Sequence, residues 1–141
     1  MRYLGLDLGS KTLGVATSDL TETIATTLTT LRFQDGDYDS VIDLLREIIE
    51  NEQIDKIVLG LPKNMDNSFG ERAEITLEFK KKLECCFGIE VILEDERLTS
   101  VISNQILIQA DISRKKRKKK VDGIAAQLIL QSYLDRKINI R

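Results

Sequence analysis

The amino-acid sequence predicts a mixed α/β sheet covered by helices. Three short strand-like segments stand close together before residue 34, which is typical of an antiparallel meander. From residue 37 onward, segments with helical spacing alternate with apolar strand-like segments, which indicates parallel strands joined through helices. The 141 residues contain no internal repeat and no flexible linker, so we expect one domain, residues 1–141, that can bury a core.

The first three strands are predicted from aliphatic and β-branched residues. They cover residues 2–8, 12–19 and 24–33, and the third is rich in threonine. Residues 9–11, which begin with a glycine, form a tight turn between the first two strands. These short connections favour antiparallel pairing of neighbouring strands.

The later elements are predicted from helical periodicity and apolar runs. In the first helix, residues 37–52, apolar residues recur with helical spacing, and Asp39 or Ser40 is available as the N-cap. The elements that follow are a buried-type strand at 55–62, a helix at 67–88, a strand at 89–95 and two helices at 99–110 and 121–137.

The composition is that of a soluble globular protein, with 42% hydrophobic and 31% charged residues. The first residues lack the pattern of a signal peptide, and no apolar run approaches the roughly 20 residues of a membrane span. Cys85 and Cys86 are adjacent in the sequence, which suits them poorly for joining distant segments. We therefore expect reduced cysteines and a cytoplasmic protein.

The chain contains no histidine. This absence excludes histidine-based zinc sites, Ser-His-Asp triads and imidazole general bases. Any catalysis must therefore depend on carboxylates, lysines, hydroxyl groups or metal ions held by oxygen atoms.

The net charge of −2 conceals an uneven distribution of charge. Residues 114–120 read "RKKRKKK", and without them the chain has 14 basic and 23 acidic residues. Such a run is often a solvated, mobile segment. Contact with nucleic acid is the sharper interpretation, because a block of lysine and arginine displaces counterions from phosphates.

Asp7 interrupts the apolar strand "YLGLDL". An ionised carboxylate inside a core costs several kcal/mol, by order of magnitude, unless it has a partner or a metal ion. Capping of the adjacent turn is the alternative role for this residue.

Two further acidic positions could meet Asp7. In the last helix, Gln127, Gln131 and Asp135 form a polar stripe at about 100° per residue, and Asp122 lies almost opposite that stripe, beside residues suited to packing on a sheet. Those packing residues are Ala125, Ala126, Ile129 and Tyr133. A solvated aspartate in the first turn, favoured by the helix dipole, is the alternative role for Asp122.

The other acidic position is the segment 94–96, where a strand runs out into Glu94, Asp95 and Glu96. Ligand sites of open α/β sheets lie beyond the carboxyl ends of such strands. Spacing alone does not decide which of the three points inward, and a charged surface turn is the alternative.

Three convergent carboxylates repel one another unless cations lie between them. Ligands that are all oxygen atoms suit Mg²⁺ or Mn²⁺. Such a cluster could hold two ions astride a phosphodiester, activating the attacking water and stabilising the leaving oxygen. The basic run, which ends two residues before Asp122, would then lie beside the site.

Four segments together resemble the YqgF/RuvX family: "LGLDLGSKTLGVATSD", "LGLPKNMDNSFGERA", "EDERLTS" and "KVDGIAAQLIL". They occur in the family's order and spacing over nearly the whole chain. The resemblance implies a ribonuclease H-like fold with a five-stranded mixed sheet, three strands antiparallel and two parallel. Members are described as Holliday junction resolvases and as nucleases that process the 5′ end of pre-16S ribosomal RNA.

The resemblance also implies functional residues. Asp7, Glu96 and Asp122 match the acidic motif positions and are the expected catalytic, metal-binding residues. The further motif positions, which we interpret as substrate contacts, are Lys11, Asn64, Arg72 and Arg97. The basic run adds the expected phosphate contacts Arg114, Lys115, Lys116, Arg117, Lys118, Lys119 and Lys120.

Several functions compete at this point. The first is a metal-dependent endonuclease that matures ribosomal RNA, and the second is a DNA junction resolvase with the same chemistry, which should be a two-fold dimer rather than a monomer. "GLDLGS" also resembles the phosphate loop of actin-like ATPases and sugar kinases, but those enzymes need two such domains. A non-catalytic RNA-binding module is the fourth.

Overall fold

The computed structural model describes residues 1–9, 11–62, 70–95 and 114–140, without the side chains of residues 95, 114–123 and 138–140. The elements in chain order are β1 (Tyr3–Leu8), β2 (Thr12–Ser18), β3 (Ala25–Arg32), α1 (Tyr38–Asn51), β4 (Lys56–Leu61), α2 (Glu71–Phe87), β5 (Val91–Asp95) and α3 (Arg114–Ile140). The predicted helix at 99–110 lies outside the described residues.

The sheet has five strands in the order β3-β2-β1-β4-β5. β1, β2 and β3 pair antiparallel, while β4 and β5 run parallel to β1. A backbone hydrogen bond of 2.7 Å from the N–H of Gly9 to the carbonyl of Thr12 closes the turn after β1. The predicted mixed sheet, with its opening meander and two parallel strands, is confirmed.

Helices cover both faces of the sheet. Leu4, Leu6 and Leu8 of β1 join the core cluster on the face where Phe79 and Leu83 of α2 pack. The alternating residues of β1 face α3 instead, because successive strand residues point to opposite faces. Asp7 therefore belongs to the α3 face.

α3 approaches the sheet closely at Gly5. A Cβ atom at Gly5 would lie 2.7 Å from Cβ of Leu130 and 3.0 Å from the carbonyl oxygen of Ala126, so glycine is required there. Ala125 and Ala126 are buried, as their predicted packing role requires. Small residues on both elements thus set the spacing between helix and sheet.

The starts of α1 and α2 differ from the sequence-based expectation. The N-cap of α1 is Asp37 rather than Asp39 or Ser40, and its carboxylate accepts hydrogen bonds from the backbone N–H and the hydroxyl of Ser40. α2 begins at Glu71 after the extended Gly70, later than the predicted start at residue 67.

α3 begins at Arg114, seven residues before the predicted start at residue 121. The basic run is therefore part of this helix rather than a segment that precedes it. Lysine and arginine are good helix formers, no proline separates residues 114–120 from the apolar part of the helix, and the helix continues through Gly123 between them.

The polar stripe of α3 pairs with the edge of the sheet. Gln131 accepts a hydrogen bond from the N–H of Ala25 at 2.8 Å and donates one to the carbonyl of Thr23, also at 2.8 Å. Gln127 donates to the carbonyl of Ala25 at 3.1 Å. These amides bond backbone groups at the start of the edge strand β3, which local helical periodicity could not reveal.

Within the described residues, no helix is long and apolar enough to cross a membrane. Cys85 and Cys86 are both exposed and form no disulfide, as expected from their adjacency.

Candidate functional site

Asp7 is half-buried near the end of β1, on the face that α3 covers. Its carboxylate makes no hydrogen bond or ion pair, as judged over the described residues. Gly14 of β2 stands directly opposite Asp7, and Gly60 of β4 follows Leu59, the partner of Leu6. Glycines on both neighbouring strands leave the sheet surface beside the carboxylate free of side chains. An accessible, unpartnered carboxylate in such a setting suits a metal ligand.

Glu94 of β5 stands opposite Gly60, and therefore on the face and at the level of Asp7. Two strand spacings separate their Cα atoms by about 10 Å. The Glu94 side chain is 4% exposed and accepts hydrogen bonds from Nη1 and Nη2 of Arg136, at 2.8 and 2.7 Å. Arg136 also lies over the ring of Tyr133, 5.9 Å from its centroid. The fork-like pairing neutralises a buried charge close to Asp7.

The ion pair between Glu94 and Arg136 helps to decide which of the three acidic residues at 94–96 could bind a metal ion. Glu94 does face inward, but Arg136 already binds both of its carboxylate oxygens. Glu96 and the side chain of Asp95 lie outside the described part of the chain. The selection of Glu96, which came from the family resemblance, stays a prediction.

Two contacts with β1 give the direction of α3 across the sheet. The ring of Tyr133 lies 5.5 Å from the ring of Tyr3, and Ala126, about two turns earlier, lies beside Gly5. α3 therefore runs antiparallel to β1, and its earlier turns extend toward the end where β1 finishes. Asp122 lies one turn before Ala126 on this helix, and its side chain is outside the description.

Arg72 and Lys11 lie at this same end of the sheet. Arg72, in the first turn of α2, donates a hydrogen bond of 3.1 Å from Nη2 to the carbonyl of Leu8. This contact fixes the end of β1, one residue beyond Asp7. Lys11, in the turn after β1, is exposed and its ammonium group has no partner among the described side chains and backbone groups.

The structure describes the remaining predicted site residues only in part. Asn64 and Arg97, like Glu96, fall outside the described residues, and residues 114–120 are placed by their helical backbone alone. Among the residues whose side chains are described, no three of the metal-binding types form a cluster. Convergence of Asp7, Glu96 and Asp122 stays a prediction, because side-chain positions are described for Asp7 alone.

Sequence reasoning did not single out the two glycines beside Asp7 or the partner of Glu94. Glycine inside a strand pattern often marks a close approach or an open site, so Gly14 and Gly60 carried a usable signal. The pairing of Glu94 with Arg136 joins residues 42 positions apart. No local pattern could have indicated it.

Residues 1–136 match the family model "RuvX: Holliday junction resolvase". A Bacillus subtilis protein named "Putative pre-16S rRNA nuclease" is 49% identical over 135 residues, covering 96% of this chain and 98% of its own. A Geobacillus protein of the same name is 50% identical over 137 residues, covering 97% and 99%.

Two solved structures share the fold at low sequence identity. Thermus thermophilus RuvC in complex with a Holliday junction substrate gives a TM-score of 0.62 at 11% identity, covering 99% of this chain and 96% of that one. The fowlpox virus Holliday junction resolvase gives a TM-score of 0.57 at 18% identity, covering 96% and 99%. These likenesses confirm the ribonuclease H-like architecture. The family match over residues 1–136 and the two relatives at about half identity show that the chain belongs to the RuvX family.

Proposed function

We propose that this chain is a divalent-metal-dependent endonuclease that hydrolyses phosphodiester bonds in structured nucleic acid, and that its task is 5′-end maturation of pre-16S ribosomal RNA in the cytoplasm. The Asp7 carboxylate carries the proposal, because it is half-buried, unbonded to the described residues and bordered by glycines. The names of the relatives at about half identity support RNA as the substrate.

Asp7, Glu96 and Asp122 would hold Mg²⁺ or Mn²⁺. The donor atoms fit these hard cations, since they are all carboxylate oxygens and the chain offers no histidine. When bound, the metal ions supply Lewis acidity, which lowers the pKa of a water molecule and offsets charge on the phosphate. The carboxylates orient this chemistry, and Arg72 keeps the β1 end that bears Asp7 in position.

The basic run suits phosphate contact for an electrostatic reason. Seven cations fill the first two turns of α3. The helix dipole disfavours positive charge in the first turn, and neighbouring cations along the run repel one another. A polyanion that binds there removes both penalties. Lys11, Asn64, Arg72 and Arg97 complete the proposed substrate contacts.

A DNA junction resolvase is the second candidate, favoured by the description of the matching family model. Symmetric cutting of two strands requires a two-fold dimer, whereas ribosomal RNA trimming can be done by a monomer. The two candidates share the chemistry at Asp7 and differ in substrate and assembly.

The decisive experiment incubates the protein with a pre-16S ribosomal RNA fragment and with a four-way DNA junction. Each substrate is tested with Mn²⁺ and with chelator, alongside Asp7→Asn. We expect metal-dependent cleavage of the RNA by the unmodified protein alone. Paired symmetric cuts in the junction would support the resolvase, and RNA binding without cleavage of either substrate would support a non-catalytic binding module.

A further inference from the structure

Most cationic side chains in the described part of the chain have a bonding partner. Among those whose side chains are described, Lys11, Arg32 and Lys81 have no hydrogen bond, ion pair or ring contact. Lys81 lies on α2, away from the end of β1. Lys11 and Arg32 instead come together at one corner of the sheet, where the N–H of Phe33 donates a hydrogen bond of 3.0 Å to the carbonyl of Lys11.

The strand register places Arg32 on the same face as Asp7. Asp7 pairs with Gly14, and Arg32 pairs with Thr12, two residues before Gly14 on the same strand. Residues that are directly opposite share a face, and residues two apart on a strand also share a face. Leu31 supports this assignment, because it packs against the core on the opposite face.

The distance between the two positions limits what Arg32 can contact. Two strand spacings and two residues along the strand separate the Cα atoms of Asp7 and Arg32 by about 12 Å. Because strand side chains stand roughly perpendicular to the sheet, the guanidinium group at that separation lies nearer to a neighbouring phosphate than to one held at Asp7. It can reach a neighbouring phosphate of the same chain of nucleotides, and the flat guanidinium group matches two phosphate oxygens at once.

We propose that Arg32 is a substrate-positioning residue that binds a phosphate next to the one being cleaved, on the side of the site opposite β5. This inference rests on the proposed nuclease function, which it deepens with a binding residue beyond those predicted. Substrate entering at Asp7 would cross the β2–β3 edge of the α3 face. A residue that binds a substrate phosphate is expected to be exposed and without a partner in the protein, as Arg32 is among the described residues.

The test measures binding of a short fluorescein-labelled RNA by anisotropy, in chelator and over a series of salt concentrations. Arg32→Gln is compared with Lys81→Gln, which removes the same charge from an exposed, unpaired site on α2. Loss of one phosphate contact should weaken binding about three- to tenfold and reduce the slope of log K against log salt by about 0.7 to 0.9. Arg32→Lys should retain most of the slope, and Lys81→Gln should match the unmodified protein.

Cleavage kinetics supply the second readout. Because a contact with a neighbouring phosphate is made equally in the ground state and the transition state, Arg32→Gln should raise KM with little change in kcat. A salt slope for Arg32→Gln equal to that of Lys81→Gln would overturn the assignment and leave the nuclease proposal standing. Altered binding by Arg32→Gln in a protein that cleaves nothing would support the assignment and contradict the catalytic proposal. No RNA binding by the unmodified protein would overturn both.

Discussion

At the end of the sheet where β1 begins, charged side chains are joined to partners, whereas at the end where β1 finishes, Asp7, Lys11 and Arg32 have none among the described residues. Both ends are built from the same strands and the same helix α3. The difference therefore reflects which side chains the sequence places at each end rather than a difference in architecture.

The amino end of β1 illustrates the paired pattern. Lys137 donates hydrogen bonds to the hydroxyl of Tyr3, at 2.6 Å, and to the carboxylate of Glu22. The bonds to Glu22 and to Tyr3 raise the pKa of Lys137, and the bond from Lys137 lowers the pKa of Glu22. These contacts tie the last turns of α3 to the β2–β3 connection.

Arg2, which precedes β1, is also bonded to partners at the end of the sheet where β1 begins. Its backbone N–H donates to Oδ2 of Asp55 at 2.8 Å, and its guanidinium group donates to the carbonyls of Ser18 and Glu52, each at 3.1 Å. The Glu52 carboxylate lies 3.0 Å from the same group.

The contrast teaches where to look for function in a fold of this kind. A paired charge is satisfied by the folded chain and contributes to holding it together. A half-buried carboxylate that the chain leaves unpaired lowers stability and is expected where a ligand supplies the partner. Each of the following experiments tests one side of this contrast.

The largest effect should come from Asp7→Asn. We expect cleavage to fall by about 1,000-fold or more, because loss of a metal ligand removes several kcal/mol of transition-state stabilisation. The free energy of unfolding without metal should stay equal or rise, since Asp7 has no partner to lose. Urea denaturation and an RNA cleavage assay measure the two quantities.

Asp55→Asn is the matched control for Asp7→Asn at the paired end, and it should keep its cleavage rate. If Asp7→Asn unfolded more readily and still cleaved RNA, the functional assignment of the unpaired end would be wrong.

Arg136→Met tests a paired charge that lies near Asp7. It removes two charge-assisted hydrogen bonds from the buried Glu94 carboxylate, so we expect the free energy of unfolding to fall by about 2 to 4 kcal/mol, less than for a pair that is wholly buried because Arg136 is 54% exposed. The double variant Glu94→Gln with Arg136→Met should recover part of the loss, since the buried side chain at position 94 is then uncharged. Equal stability of the single and double variants would contradict this account.

Lys137→Met should have a smaller effect, confined to stability. Loss of the bonds to Tyr3 and Glu22 should lower the free energy of unfolding by about 1 to 3 kcal/mol, while the cleavage rate per folded molecule stays unchanged. Urea denaturation gives the first value and kcat the second. A large fall in kcat would show that the paired end also takes part in function.

The smallest effect should be the acid dependence that Asp19 contributes. Hydrogen bonds from the hydroxyl of Thr21 and from the N–H groups of Thr23 and Ile24 lower the pKa of Asp19 from 3.8 to about 2. Because the folded state has the lower pKa, this stabilisation is present above pH 4 and is lost as the pH falls toward 2. Tm values at pH 6 should differ between Asp19→Asn and the unmodified protein, and the difference should shrink near pH 2.5. A constant difference would exclude the ionised carboxylate as its cause.

The sequence by itself determined the class and connectivity of the sheet. Apolar strand patterns, short turns and helical periodicity are local signals, and each is carried by a few neighbouring residues. Asp7 stood out for the same reason, as a charge inside an apolar run. The start of α3 was misplaced because the basic run resembled a solvated segment, although its residues are compatible with helix.

Only the tertiary structure decided how distant residues meet. The glycines on either side of Asp7, the binding of Glu94 by Arg136 and the register of Arg32 with Thr12 all depend on strand pairing or helix packing. The glutamines of α3 that bond the β3 edge depend on them as well. Such contacts form when elements far apart in the chain pack together, so no local pattern of residues contains them.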